Sequence, residues 1–180
     1  LGATLNIGLD FSRVASAFCK RHYTANPGLR FLAGDAVALP FADASFDVVV
    51  DVEATNRFGD GAPLFREVVR VLHDGGMFLY ADSRGFRKIP RVEAALAAAG
   101  LRGELHDVTD RVRLACEEDT PRRLRLLRTV VPWPYRLVFG SRIRSYLGVT
   151  GSVMYEKFRT HRRTYFIACL RKEVGSRLPA

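Results

Sequence analysis

The chain has 180 residues, 48% of them apolar and 26% charged, enough to enclose one core and too apolar for an intrinsically disordered segment. No run approaches the ~18 to 20 apolar residues of a membrane-spanning helix, and the three cysteines, with no CxxC spacing, argue against a zinc site or a disulfide framework and fit a reducing cytoplasm. The formal charge of +9 is lopsided, with 7 Lys/Arg against 10 Asp/Glu in residues 1–82 and 21 against 9 in residues 83–180, so the second half offers a field for anionic partners.

In chain order, "TLNIGLD" reads as a strand ending at Asp10. "FSRVASAFCKRHY" follows as a helix, with Ser12 as N-cap and Val14, Ala17, Phe18 and Arg21 at helical spacing. "LRFLAGD" from Leu29 and "SFDVVVDVE" are two further strands, whose unbroken apolar runs suit a parallel sheet covered on both faces. "DGAPLFREVVRVLHDGG" carries the clearest helical stripe, Leu64, Phe65, Val68 and Leu72, with Asp60 as cap and Gly75-Gly76 as stop. "MFLYAD" is the next strand, "KIPRVEAALAAAG" the next helix, stopped by Gly100, and "LRGELHDVTD" a strand of mixed polarity. This alternation predicts a doubly wound α/β sheet.

From Arg111 to about Arg162 the alternation stops. Leu124, Leu127 and Val131 mark an amphipathic helix ended by Pro132 and Pro134, and "GSVMYEKFRTH" a shorter one. "RTYFIACLRK" closes the sheet as a strand with Tyr165, Ile167 and Cys169 on one face. The predicted organisation is a single domain over residues 1–180, with residues 1–110 as the main α/β part, 111–162 as a helical insertion between antiparallel edge strands and 163–172 as the final strand.

Four carboxylates, Asp10, Asp35, Glu53 and Asp82, fall near the carboxyl ends of predicted strands, which is where open α/β sheets bind ligands. An ionised carboxylate there can accept from both hydroxyls of a ribose, and a second from an adenine amino group. Each acid taken alone is better read as the cap of a turn or helix; their co-location reverses this and favours the ligand. His22, His73, His106 and His161 are scattered, so no metal site is expected. Nucleic acid is not expected as a partner either: the charge has no RNP string or zinc finger beside it.

"GLDFS", "FLAGDAVALPFADASFDVVVDVEA", "LFREVVRVLHDGGMFLYADSR" and "GVTGSVMYEKFRTHRRTYFIACLRK" resemble class I S-adenosylmethionine-dependent methyltransferases. Within that superfamily they are most similar to the mycobacterial phthiotriolone and phenolphthiotriolone dimycocerosate methyltransferases and related bacterial lipid and polyketide enzymes. The resemblance implies a Rossmann-like, mostly parallel sheet with an antiparallel last strand, truncated at the N-terminus, with the family's Gly-rich strand and helix belonging ahead of Leu1. It implies that Asp10 holds the ribose of S-adenosylmethionine, that Phe11 packs beside the adenine, and that Asp35 binds the adenine amino group with Ala36 supplying backbone. Val52 and Glu53 would border the methyl group, and Asp82 would face the transfer site. Many relatives carry His where this chain has Asn56; Asn takes up no proton at neutral pH, so Asp82 or Glu53 is the expected catalytic base. The insertion would form the acceptor pocket through Trp133, Tyr135, Phe139, Tyr146 and Tyr155, for which ordinary core is the alternative.

The expected function is methyl transfer to a hydroxyl of a hydrophobic lipid or polyketide, in the cytoplasm, with peripheral contact to anionic membrane through the basic half. The alternative is a catalytically inactive relative serving as a binding module for an anionic membrane or a protein partner.

Overall fold

A computed structural model describes residues 5–175, so Thr4, at the start of the first predicted strand, lies outside the described residues. The chain opens as a β-α-β unit: β1 (Asn6–Asp10), α1 (Arg13–His22) and β2 (Leu29–Ala33). Ser12 caps α1 as expected, its Oγ accepting the Ala15 N–H at 3.2 Å, and Lys20, Arg21 and His22 sit in the last turn, where a helix dipole favours positive charge. β1 and β2 are parallel, from Asn6 opposite Leu29 to Asp10 opposite Ala33. The Ser16 hydroxyl donates to the Leu32 carbonyl at 3.0 Å and fastens α1 onto this two-stranded sheet.

The second sheet holds β3 (Phe46–Val52), β4 (Leu72–Gly85), β7 (Arg163–Lys172) and β5 (Leu101–Arg102) in that order, with β6 (His106–Asp107) also on β7. β3 and β4 run parallel, and β7 is antiparallel to β4 from Met77 opposite Arg171 to Gly85 opposite Arg163. Helix α2 (Ala62–Val71) ends earlier than its sequence suggests, and Leu72 already belongs to the strand. The physical reason is that fully buried Leu72 pairs with Phe46 while the register then jumps to Val48 opposite Met77. Gly75, at φ +76°, and Gly76 absorb that bulge; a Cβ on Gly76 would lie 2.9 Å from the His73 carbonyl oxygen. The helix N-cap is Gly61, one residue after Asp60, whose Oδ1 accepts the Ala62 N–H at 3.0 Å.

The core lies between this sheet and helices α2 and α3 (Ile89–Ala98). Phe65, Phe78, Tyr80 and Phe166 are all buried and meet edge-on or stacked, with ring centroids 5.2 to 6.1 Å apart, geometry that suits aromatic quadrupoles. Leu64, Val68, Val92, Leu96 and Leu170 fill the space around them, each burial contributing about 1.5 to 3 kcal/mol. On β7 the core residues are Thr164, Phe166, Ala168 and Leu170. Tyr165, Ile167 and Cys169 share a face as predicted, but it is the outer one. There, cross-strand rows Val50–Leu79–Cys169 and Val52–Ala81–Ile167 lie half-buried or exposed.

The segment "LRGELHDVTD" forms two short strands instead of one, divided near Gly103, where a Cβ would come within 2.7 Å of the Cys169 carbonyl oxygen. The insertion consists of three helices, α4 (Thr109–Val130), α5 (Trp133–Tyr146) and α6 (Val153–Arg159). α4 runs through Pro121 and ends where Pro132 and Pro134 were expected to end it. None of the described helices is long and apolar enough to cross a membrane.

Between the two sheets lies a mostly apolar cleft of about 280 Å³ lined by Asn6, Ile7 and Leu9 of β1, Val48 to Asp51 of β3, and Leu64 and Val68 of α2. Among the described residues β1 pairs only with β2, and β3 only with β4. The side chains of Arg70 and Glu67 hold the loop that joins the sheets to α2, beside the backbone bonds from Ala44 and Ser45 to the Arg70 and Val71 carbonyls. Arg70 donates to the carbonyls of Leu39 at 2.9 Å and Phe41 at 2.8 Å and to Asp43 at 2.8 Å. Its neighbour Glu67 accepts the Leu39 N–H at 2.6 Å.

Candidate functional site

The strand ends deliver the acids in two groups. Asp10 is the last residue of β1, and its backbone carbonyl accepts the Gly34 N–H at 3.0 Å, which brings the end of β2 alongside. Its Oδ1 accepts the Ser12 N–H at 2.7 Å. Asp35, just past β2, accepts the Val37 N–H on Oδ1 at 3.0 Å. Each acid therefore spends one oxygen on its own turn, as the capping alternative anticipated, while the other oxygen has no hydrogen bond among the described residues. Phe11, 81% exposed, presents its ring beside Asp10, and Ala36 lines the cleft next to Asp35.

The second group sits where β3, β4 and β7 meet. Asp51 turns the chain: its Oδ1 accepts the Ala54 N–H at 3.2 Å and its Oδ2 accepts the buried Thr55 hydroxyl. Glu53 follows at φ +61°, a left-handed conformation that strains any residue with a Cβ. Its N–H donates to the Ala81 carbonyl at 2.9 Å, so the turn is tied to β4. The Glu53 Oε1 faces the Ser83 hydroxyl at 3.4 Å. The Arg163 guanidinium in turn donates to the Ser83 hydroxyl at 3.0 Å and carbonyl at 2.6 Å. Although Glu53 is exposed, loss of hydration raises its carboxyl above the ordinary 4.5, and nearby Asp82 adds to this, while Arg163, Ser83 and Tyr165 pull the other way. Burial likewise raises the Tyr165 hydroxyl, and the Glu53 charge reinforces the shift.

Asp82 occupies a different environment. It is 0% exposed, and its oxygens accept the Tyr80 hydroxyl at 3.2 Å and the Ser83 N–H at 2.7 Å. The Arg84 Nη2 lies 3.0 Å from its Oδ2, close enough for an ion pair but without hydrogen-bond alignment, so Arg84 Nε and Nη2 are buried without a hydrogen-bond partner. The Arg84 Nη1 donates to the Gly59 carbonyl at 3.2 Å. This corrects the expectation that Asp82 faces the transfer site. On β4 it alternates with Ser83 and shares the core face with Phe78 and Tyr80. Asn56 is exposed, and its side-chain amide donates to the Glu53 carbonyl at 3.4 Å. Val52 stands exposed on the outer face of the sheet.

Of the five aromatics expected to form the acceptor pocket only Tyr155 is buried, its hydroxyl donating to Glu117 at 2.6 Å. Trp133, Tyr135, Phe139 and Tyr146 are exposed. The described residues hold no group of three or more His, Cys, Asp or Glu able to hold a metal ion. Ser83, Arg163 and Tyr165 were given no role in the site by the sequence. Arg163 lies 80 positions from Ser83, and only the register of β7 against β4 brings them together.

Residues 3–80 match the family profile described as a methyltransferase domain, and that stretch contains Asp10, Asp35 and Glu53. The probable phthiotriol/phenolphthiotriol dimycocerosates methyltransferase 2 of Mycobacterium ulcerans is 38% identical over 154 residues, 84% of this chain and 57% of that protein. Residues 3–80 thus carry a methyltransferase domain, and the chain is similar to the class I S-adenosylmethionine-dependent methyltransferases. It is also similar to a fatty-acid O-methyltransferase of Mycolicibacterium smegmatis, 44% identical over 94 residues, or 52% of this chain and 34% of that one. The fold matches the cyclopropane synthase structure from Mycobacterium tuberculosis with a TM-score of 0.75 at 15% identity, over 92% of this chain and 68% of that one. The methyltransferase chain thus spans a little over half the length of the M. ulcerans relative and about a third of the M. smegmatis one.

Proposed function

We propose that this methyltransferase chain carries the adenosyl-binding acids and the proton acceptor for methyl transfer from S-adenosylmethionine to a hydroxyl of a lipid-type acceptor, at the cytoplasmic face of a membrane. The free oxygens of Asp10 and Asp35 at neighbouring strand ends carry this reading, since they match the ribose hydroxyls and adenine amino group in chemistry and in number of lone pairs. The exposed Phe11 ring supplies an apolar surface for the purine. When bound, S-adenosylmethionine supplies an electrophilic methyl group, so the protein's task is chiefly to orient the acceptor.

Glu53 is the group we assign to receive the acceptor's hydroxyl proton. Its raised carboxyl affinity for protons moves it toward the working range of a general base. Ser83 and Arg163 hold it in place from β4 and β7, and the strained turn at Glu53 is the kind of outlier that collects at functional sites. Asp82 acts through Glu53, as a fixed negative charge beneath it. The lipid acceptor is supported by the names of the M. ulcerans and M. smegmatis relatives. A catalytically silent binding module is the less favoured reading, because Asp10 and Asp35 each keep an oxygen free at neighbouring strand ends.

Calorimetric titration with S-adenosylmethionine tests the assignment. Asp10→Ala removes a charge-assisted contact worth roughly 1.5 to 3 kcal/mol, so binding should weaken about 10- to 100-fold. Unchanged affinity would refute the adenosyl assignment. Full transfer activity in Glu53→Gln would refute the proton-acceptor role separately.

A further inference from the structure

Residues 121–146 contain seven arginines and no acidic residue. They make up the second half of α4 and all of α5. Among the described residues Arg125, Arg128, Arg136, Arg142 and Arg144 have no ion pair, in contrast to Arg122 and Arg123, which both hold Asp119. The same stretch has an unusual distribution of apolar side chains. A surface helix ordinarily turns its apolar stripe inward, yet α5 has no buried residue. Its half-buried inner stripe holds Arg136, Gly140 and Ile143. Outward it presents Trp133 at 65% exposure, Leu137 at 76%, Val138 at 70% and Tyr146 at 90%. Leu126 and Val130 of α4 are exposed beside them.

We infer that α5, with the second half of α4, is a docking surface for an anionic lipid bilayer, lying in its headgroup region. Three features select this occupant. Apolar and aromatic side chains on the solvent side of a helix are stable when they can enter the acyl boundary, and Trp and Tyr favour that depth. Unpaired arginines without any interspersed acid complement phosphate headgroups and repel no part of an anionic surface. Their long stems let the guanidinium groups reach headgroups while Leu137 and Val138 sit deeper. The two helices are bonded to each other, Arg123 donating to the Leu147 carbonyl and Arg136 to the Arg128 carbonyl at 2.9 Å, and the first half of α4 is held to the domain by the Tyr155 hydroxyl donating to Glu117 at 2.6 Å and the Tyr165 N–H donating to the Thr109 hydroxyl at 2.9 Å. Docking therefore needs no unfolding of the insertion. This inference rests on the lipid part of the proposed function and not on the transfer chemistry.

The chain contains a single tryptophan, Trp133, on the proposed face, so its own fluorescence reports on the docking. The full chain is mixed with phosphatidylcholine vesicles, with and without phosphatidylglycerol. On the phosphatidylglycerol vesicles Trp133 emission should shift to the blue and be quenched by brominated acyl chains, and added salt should reverse the effect. The exposed triple variant Arg125→Gln/Arg142→Gln/Arg144→Gln should bind on the order of 100-fold more weakly, at roughly 5-fold per arginine, with unchanged circular dichroism. An unshifted Trp133 emission overturns the proposal, even if the protein sediments with the vesicles through another surface. Full-strength binding by the triple variant overturns it too. A concentration-dependent blue shift without lipid, with dimers on gel filtration, would assign the face to a second copy of the chain instead. None of these readouts involves methyl transfer, so failure here leaves the adenosyl assignment standing, and failure there leaves this one.

Discussion

Asp82→Asn separates a structural acid from a catalytic one. The substitution keeps the shape of the side chain and an acceptor for the Ser83 N–H, but it removes the charge 3.0 Å from the Arg84 guanidinium. Arg84 is 5% exposed, already has two nitrogens without hydrogen bonds, and would keep only the Gly59 carbonyl. Removing one partner of a buried ion pair typically costs about 3 to 5 kcal/mol, because the other charge is left in low dielectric. For a chain of this size that corresponds to a fall in Tm of roughly 6 to 20 °C. Urea denaturation followed by circular dichroism gives the free energy, and the double variant Asp82→Asn/Arg84→Met completes the cycle. With the stranded charge gone, the double variant should recover most of the loss, since an apolar replacement of a buried pair is often near neutral. If Asp82→Asn unfolds within about 0.5 kcal/mol of the parent and only transfer activity disappears, the carboxylate serves the chemistry and its assignment to the core is wrong.

Glu53→Gln should trade function for stability. A carboxyl held above its ordinary value of 4.5 in the folded chain costs nothing where it is protonated in both states. The cost appears as pH rises through the unfolded value and is complete above the folded one. The Gln variant should therefore be more stable than the parent at pH 7, with the gain vanishing at pH below the unfolded value, and chemical denaturation at two pH values checks the sign. A second expectation concerns Arg70. Arg70→Met removes the bonds to the Leu39 and Phe41 carbonyls, at about 1 kcal/mol each, with less from the partly exposed pairs to Glu67 and Asp43. Hydrogen exchange at residues 35–45 should accelerate while the β4–β7 ladder keeps its protection, and equal protection of both regions would contradict the anchoring role.

Some of this site was legible before any coordinates. Asp10 and Asp35 could be placed because each directly follows an apolar run, and a parallel β-α-β unit carries such residues to one rim. Strand parity held a signal for the burial of Asp82 that the sequence reading left unused: with Tyr80 and Phe78 two and four positions earlier, Asp82 shares their inward face. The Gly75-Gly76 pair was misread because two glycines after an amphipathic stripe look like a helix stop, whereas here they relieve a bulge against β3. Arg163 and Tyr165 were out of reach of local patterns, since their approach to Glu53 depends on the pairing of β7 with β4 across the whole insertion. The outward turn of Trp133 and Leu137 was equally hidden, because helical spacing identifies a stripe without saying which side the protein covers.

The two groups of acids differ in how firmly they are held, and this has a consequence for the reaction. Glu53 rests on a platform that is bonded in several directions: Asp51 and Thr55 close its turn, Ala81 holds its backbone, and Ser83 and Arg163 face its carboxylate. Asp10 and Asp35 belong instead to a two-stranded sheet that meets the rest of the chain across an apolar cleft. The connecting loop is fastened through Arg70 and Glu67 on α2. In-line transfer tolerates little error between donor and acceptor. The distance between Asp10 and Asp35, proposed to hold the adenosyl group, and Glu53 is then set by whatever fixes one sheet against the other, and α2 is the element that touches both the cleft and the loop. Loosening Arg70 should therefore lower the rate of transfer more than it weakens cofactor binding, because it leaves Asp10 and Asp35 intact while blurring their position relative to Glu53, the proposed base.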